Sequence, residues 1–163
     1  MQQRIDMASE QGVTRSGESL HGIVWDVMGQ VYKPVQLSKT SFAFDTLFPS
    51  GTFVPPHIHP DQDEFIRVLE GRFDLWVDGE EISASAGDLV CMPKGSKHGI
   101  FNRSDAPTRA LFWVAPACRL YELFIQLDGI REPAEVVRRS AEHNVHFLAM
   151  DQWPSDRYMP NQG

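Results

Sequence analysis

Turn signals recur about every eight to twelve residues between Leu20 and Val114, and the segments between them are too short for a crossover helix. That punctuation most constrains the fold. Short strands joined by tight turns pair antiparallel and close into a sandwich or barrel. Ile23, Trp25 and Val27 alternate with Val24, Asp26 and Met28, and Gly29-Gln30 is placed to turn. Val31–Val35 reads as an extended piece that Pro34 confines to an edge. Ser41–Phe48 reads as a strand with Phe42 and Phe44 on one face, and Thr52–His59 as the next. In the latter, Pro55-Pro56 cannot donate ladder hydrogen bonds, which requires an edge, a bulge or a barrel mouth. Strands then follow at Glu64–Leu69, Arg72–Val77, Glu81–Ala84, Leu89–Met92, His98–Asn102 and Thr108–Val114, with Asp78-Gly79 the strongest hairpin signal.

Past Pro116 the period changes. Leu120, Leu123, Phe124 and Leu127 have helical spacing, Gly129 stops that helix, and Pro133 suits the first turn of a second helix running to about His143. Val145–Met150 reads as a short extended piece. The expected organisation is one domain over residues 1–163: a polar arm (1–19), a β-barrel (20–115), a helical segment (116–150) and an irregular tail (151–163).

Charge removes several classes of function. The formal net charge is −7, which disfavours nucleic acid and gives no polybasic handle for an anionic membrane. No apolar run reaches spanning length, and the first residues lack the apolar core of a signal peptide, so a cytoplasmic location is expected. Cys91 and Cys118 form no CxxC pattern and read as inert, buried small residues.

The chemistry concentrates in two stretches. In the first, His57 and His59 stand two apart on a strand and share a face. Glu64 has the wrong parity for that face on one unbroken strand. The Pro60-Asp61-Gln62-Asp63 turn removes the objection if Glu64 enters from the neighbouring antiparallel strand. In the second stretch, His98 follows the Pro93-Lys94-Gly95 turn, at a strand end from which a side chain reaches a barrel mouth. Three imidazoles and a carboxylate suit one divalent first-row metal (Fe, Mn, Co, Ni, Cu or Zn) and leave coordination positions open, as catalytic sites do. His21, His143 and His146 read as surface or packing residues, and Asp61 and Asp63 as turn residues. Lys94 and Lys97 read as solvated loop lysines.

These stretches resemble the paired motifs of the cupin superfamily. Gly51, His57, His59, Glu64 and Gly71 match the first motif in every spacing, and Gly87, Pro93, Gly95, His98 and Asn102 match the second. The resemblance implies an all-β, antiparallel double-stranded β-helix (a jelly-roll barrel) with one or two C-terminal α-helices and a metal in its lumen. It carries over His57, His59, Glu64 and His98 as ligands. The HIHPDQDEFIRVLEG run and the Val145-His146-Phe147-Leu148 piece are similar to quercetin-dioxygenase-like single-domain members. For such members the resemblance implies a dioxygenase acting on a small aromatic or enol-type substrate and O2, with Glu64 as general base. Parity would put Phe53 and Pro55 inward with the histidines, and Ile66 and Val68 inward with Glu64, either lining a substrate pocket or simply filling the barrel. A sugar isomerase or epimerase and a non-enzymatic small-molecule or metal-binding module are the competing functions. A homodimer is expected, with the arm or a C-terminal helix available to cross to the partner.

Overall fold

The computed structural model describes residues 11–154, and within them two antiparallel sheets pack face to face. In chain order the strands are β1 (Trp25–Val27), β2 (Gln30–Leu37), β3 (Phe42–Phe48), β4 (Phe53–Ile58), β5 (Asp63–Glu70), β6 (Arg72–Val77), β7 (Glu80–Ser85), β8 (Leu89–Met92), β9 (Lys97–Phe101), β10 (Thr108–Ala115) and β11 (His146–Phe147). The six-stranded sheet runs β1-β2-β3-β10-β5-β8 and the five-stranded sheet β11-β4-β9-β6-β7. Every pairing is antiparallel. Helices α1 (Leu120–Leu127) and α2 (Pro133–Glu142) follow, with Pro133 in the first turn as expected. Among the described residues no helix is long and apolar enough to cross a membrane. Residues 1–10 of the expected arm and 155–163 of the expected tail lie outside the description.

Alternation builds the core. On β3 and β10 the burial pattern is strictly two-residue, placing Phe42, Phe44, Phe48, Phe112 and Val114 inside. Phe48 stacks on Phe112 at 5.9 Å and meets Phe73 of the opposite sheet edge-on at 4.9 Å, so aromatic rings bridge the two layers. Asp78-Gly79 makes a two-residue hairpin with φ of 47° and 93°, the positive values a primed turn demands. At Gly71 (φ +81°) a Cβ would lie 2.8 Å from Thr108 Oγ1 and 2.9 Å from the Pro107 carbonyl oxygen. The Thr108 hydroxyl itself is bonded to the Arg72 backbone, so only glycine fits there.

Several expectations change. The first turn is Met28-Gly29 and Gln30 begins β2. Pro34 lies beyond the short β1, which pairs only with Gln30–Tyr32, and at a register shift against β3; the strand is an edge in its second half only. Cys91 and Cys118 are both exposed: Cys91 alternates outward on β8, and Cys118 sits in the turn before α1. The apolar side of α1 is covered by its own barrel, where Leu120, Leu123, Phe124 and Leu127 are buried.

Candidate metal centre

Pro55-Pro56 produces a bulge, because β4 and β9 shift register between Val54 and His57. Val54 pairs with Ile100 and His57 with His98, both on the inner face, so parity is lost across the prolines. Phe53 consequently points the other way. It stacks on Phe101 at 5.6 Å, in a small cluster with Trp76 and Leu148 on the outer face of the five-stranded sheet. The bulge thus breaks the simple parity between Phe53 and His57, yet Phe53 still borders the cavity, as expected of a pocket residue, together with Val54 and Pro55. Ile66 and Val68 do face inward, but at 0% and 1% exposure they fill the barrel rather than line a cavity.

Glu64 also arrives differently. β4 pairs with β9 and β11, whereas β5 pairs with β10 and β8. The Pro60–Gln62 turn therefore carries the chain across the barrel to the opposite sheet, and Glu64 faces the histidines from there. Asp63 supports the crossing by accepting a 2.8 Å bond from the Lys94 amide, which ties the two motif loops together. Asp61 accepts from Asn144 Nδ2 at 2.7 Å, and neither aspartate joins the cluster.

The four side chains meet in the interior. Glu64 Oε2 lies 2.8 Å from His98 Nε2, 3.2 Å from His59 Nε2 and 4.0 Å from His57 Nε2. One nitrogen or oxygen from each residue lies within 4.8 Å of all the others, and all four residues are buried. The far ring nitrogens settle the tautomers. His57 Nδ1 donates to the Pro55 carbonyl at 2.8 Å and His98 Nδ1 to the Ser96 carbonyl at 3.1 Å, since a carbonyl oxygen can only accept. His59 Nδ1 donates to Gln62 Oε1 at 2.9 Å, and the Gln62 amide is oriented by donating to the Pro116 and Ala117 carbonyls at 3.0 and 2.7 Å.

With all three Nδ1 atoms acting as donors, each neutral ring turns an Nε2 lone pair inward. With all three rings neutral, three lone pairs and a carboxylate converge with no donor between them; a second proton on His98 or His59 would instead bond Glu64 Oε2. The neutral-ring arrangement costs energy unless a cation sits among them. Mixed N/O donors of this kind fit a divalent first-row ion.

The electrostatics couple Glu64 to the imidazoles. Burial and the neighbouring charges of His98 and His59 push the His57 pKa well below its ordinary value. For Glu64, burial would raise the pKa, but interactions with His59 and His98 outweigh it and hold the carboxyl well below the usual range. For His59, burial acts downward and the charge and hydrogen bond of Glu64 win, leaving it raised.

Beyond the cluster lies a cavity of about 100 Å³, room for several waters or one small molecule at about 10–15 Å³ per water centre. Its walls are largely apolar and include Phe44, Phe112, Leu120, Phe124 and Leu127, with Gln30, Tyr32 and Ser140 as polar members. The walls come mainly from β2, β4 and the helical segment, with single residues from β1, β3, β9 and β10. Phe147 of β11 packs on the His57 ring at 5.3 Å, and the Val145–Leu148 piece adds an edge strand beside β4. His143 is buried, its Nδ1 donating to the Arg139 carbonyl, and His146 is exposed; neither approaches the cluster.

Sequence reasoning missed Gln62, which looked like one more polar turn residue, and Gln30 and Tyr32. An amide between two aspartates, midway from His59 to Glu64, was the only local signal.

A family model described as "Cupin domain" matches residues 44–114. The tetracenomycin polyketide synthase protein TcmJ of Streptomyces glaucescens is 29% identical over 85 residues, 52% of this chain and 57% of that protein. Quercetin 2,3-dioxygenase of Bacillus subtilis is 40% identical over 48 residues, 29% of this chain and 14% of that protein. The crystal structure of an RmlC-like cupin from Shewanella frigidimarina superposes with a TM-score of 0.61 at 20% identity, over 71% of this chain and 99% of that one; it shares the fold. The chain spans about half the length of the curated relatives it matches first.

Proposed function

Residues 44–114 match a cupin domain model and the fold is that of an RmlC-like cupin, and from that likeness we propose that this chain is a cupin acting as a metal-dependent dioxygenase for a small aromatic or enol-type substrate. The observation that carries the proposal is the convergence of four buried acceptor atoms at the inner end of an apolar cavity. The stretch of likeness to a quercetin 2,3-dioxygenase supports the same reading. No Lys or Arg lines the cavity, which weighs against a sugar phosphate, whose charge would require basic partners.

In this reading His57, His59 and His98 hold a divalent first-row ion through Nε2, and Glu64 through Oε2. The ion supplies the Lewis acidity and one-electron chemistry toward O2 that side chains lack. Glu64, kept ionised by its lowered pKa, would take the proton of the substrate hydroxyl on the carboxylate oxygen that does not hold the ion. Leu120, Phe124 and Leu127 exclude water from the apolar end. The backbone acceptors of His57 and His98 and the Gln62 amide hold the rings in register, so the site is organised before substrate arrives.

The deciding experiment is metal analysis of natively purified protein coupled to oxygen uptake with a panel of flavonols, catechols and β-diketones. Uptake that follows metal content, and is lost in Glu64→Gln with metal still bound, supports the proposal. No uptake by any metal form sinks the dioxygenase and leaves a binding module; full activity in Glu64→Gln sinks the base role.

The proposal includes a homodimer formed through the outer face of the six-stranded sheet. Leu47, Leu69 and Leu89 stand 39%, 40% and 54% exposed there, beside the stacked Phe65–Trp113 pair. Arg109 bridges Asp45 and Glu70 on the same face. A patch carrying both signs around apolar residues can complement a second copy of itself. Light scattering should give twice the chain mass, falling to one in Leu89→Glu; a monomeric wild type refutes the dimer.

A further inference from the structure

One polar feature of the cavity is not used by the metal cluster. Tyr32 Oη donates to Gln30 Oε1 at 2.5 Å, and Gln30 Nε2 donates to the Phe53 carbonyl at 3.0 Å. Both side chains line the cavity, at 5% and 2% exposure. Gln30 therefore has its amide fixed by backbone, its oxygen occupied by the phenol and one N–H committed. The phenol has spent its only proton. Burial and the charge of Glu64 both push its pKa up, so it stays neutral. Among the described residues nothing is recorded donating to Oη, so its lone pairs remain to accept a hydrogen bond inside an otherwise apolar wall.

We propose that Tyr32 is a specificity-determining residue whose Oη accepts a hydrogen bond from a hydroxyl of a small, neutral, phenol-class ligand, while the ring of that ligand packs on Phe44, Phe112 and Phe124. This rests on the reading of the cavity as the site of a small aromatic substrate, but it concerns binding alone. A protein that binds phenols and consumes no oxygen would refute the dioxygenase and leave this inference standing. Hydrocarbons of equal shape lose the contact, so the pocket selects by hydroxyl as well as by size. Gln30 acts as a positioning residue: it holds the phenol proton on the far side and turns the lone pairs to the cavity.

The test uses phenol and its near-isostere toluene, titrated by NMR into protein as purified, under anaerobic conditions that prevent turnover. Wild type and Tyr32→Phe are compared, each with and without a chelator. The expected result is that Tyr32→Phe weakens phenol about five- to tenfold, the worth of one hydrogen bond, and leaves toluene within twofold. The phenol-to-toluene preference should fall by that factor in both chelator arms. A preference changed less than twofold by Tyr32→Phe overturns the inference, as does a preference abolished by chelation alone. Toluene binding also reports whether the variant keeps its cavity. Should it not, wild-type phenol is compared with anisole, which has no proton to donate. After subtraction of each compound's transfer free energy from water to octanol, phenol should bind at least fivefold tighter, and equal binding overturns the inference.

Discussion

Gln62 joins the candidate metal centre to the helical segment, and replacing it separates two consequences that a merely structural residue would not separate. In Gln62→Leu three hydrogen bonds vanish: the one from His59 Nδ1 and the two to the Pro116 and Ala117 carbonyls. At about 0.5–1.5 kcal/mol each, unfolding free energy should fall by about 2–4 kcal/mol. Without an acceptor the His59 ring is free to rotate or change tautomer, and loss of such a supporting contact weakens metal binding by about 10- to 100-fold. Gln62→Glu keeps an acceptor for His59 but sets a carboxyl against two carbonyl oxygens. It should retain ion affinity within about threefold of wild type while losing stability comparable to the leucine variant. The assays are zinc titration by calorimetry and urea unfolding of each variant. If both variants lose affinity in proportion to stability, Gln62 is only a packing residue. If Gln62→Leu binds zinc within twofold of wild type, the argument from tautomer control fails.

Other expectations follow from the same geometry. Gly71→Ala forces a Cβ into Thr108 at a positive φ and should cost at least about 2 kcal/mol in urea unfolding. Phe124→Ala removes a buried ring that contacts Trp25, Tyr32 and Phe44 at 4.9 to 5.5 Å; a loss of about 3–5 kcal/mol with an unchanged m-value is expected. Because the four acceptors assemble only in the folded chain, zinc at 100 times its dissociation constant should stabilise by about 2.7 kcal/mol and raise Tm, and chelator should abolish the gain. Glu64→Gln should reduce that gain. Partial desolvation and the charge of Asp61 push the pKa of the exposed Cys118 thiol up. Its alkylation rate should therefore keep rising with pH above the point where an ordinary thiol has ionised, and Asp61→Asn should bring the titration down.

What the sequence determined by itself was local. Strand periodicity, the Asp78-Gly79 hairpin, the helical spacing from Leu120 and the Pro133 helix start depend on a few neighbouring residues, and each appears in the structure. The four residues of the candidate site were legible too, because motif spacings encode which loops meet. Tertiary structure decided what those local rules cannot carry across an interruption. Alternation has a period of two, so a single bulge at Pro55-Pro56 reversed Phe53 while keeping His57 inward. A turn fixes only that the chain reverses, and which sheet receives Glu64 was set by long-range pairing of β5 with β10 and β8. Gln62 and the Tyr32–Gln30 pair acquire their roles from partners 23 to 55 residues away. Their chemistry became visible only when folding brought those partners within hydrogen-bonding reach, since a donor or acceptor is defined by what it faces.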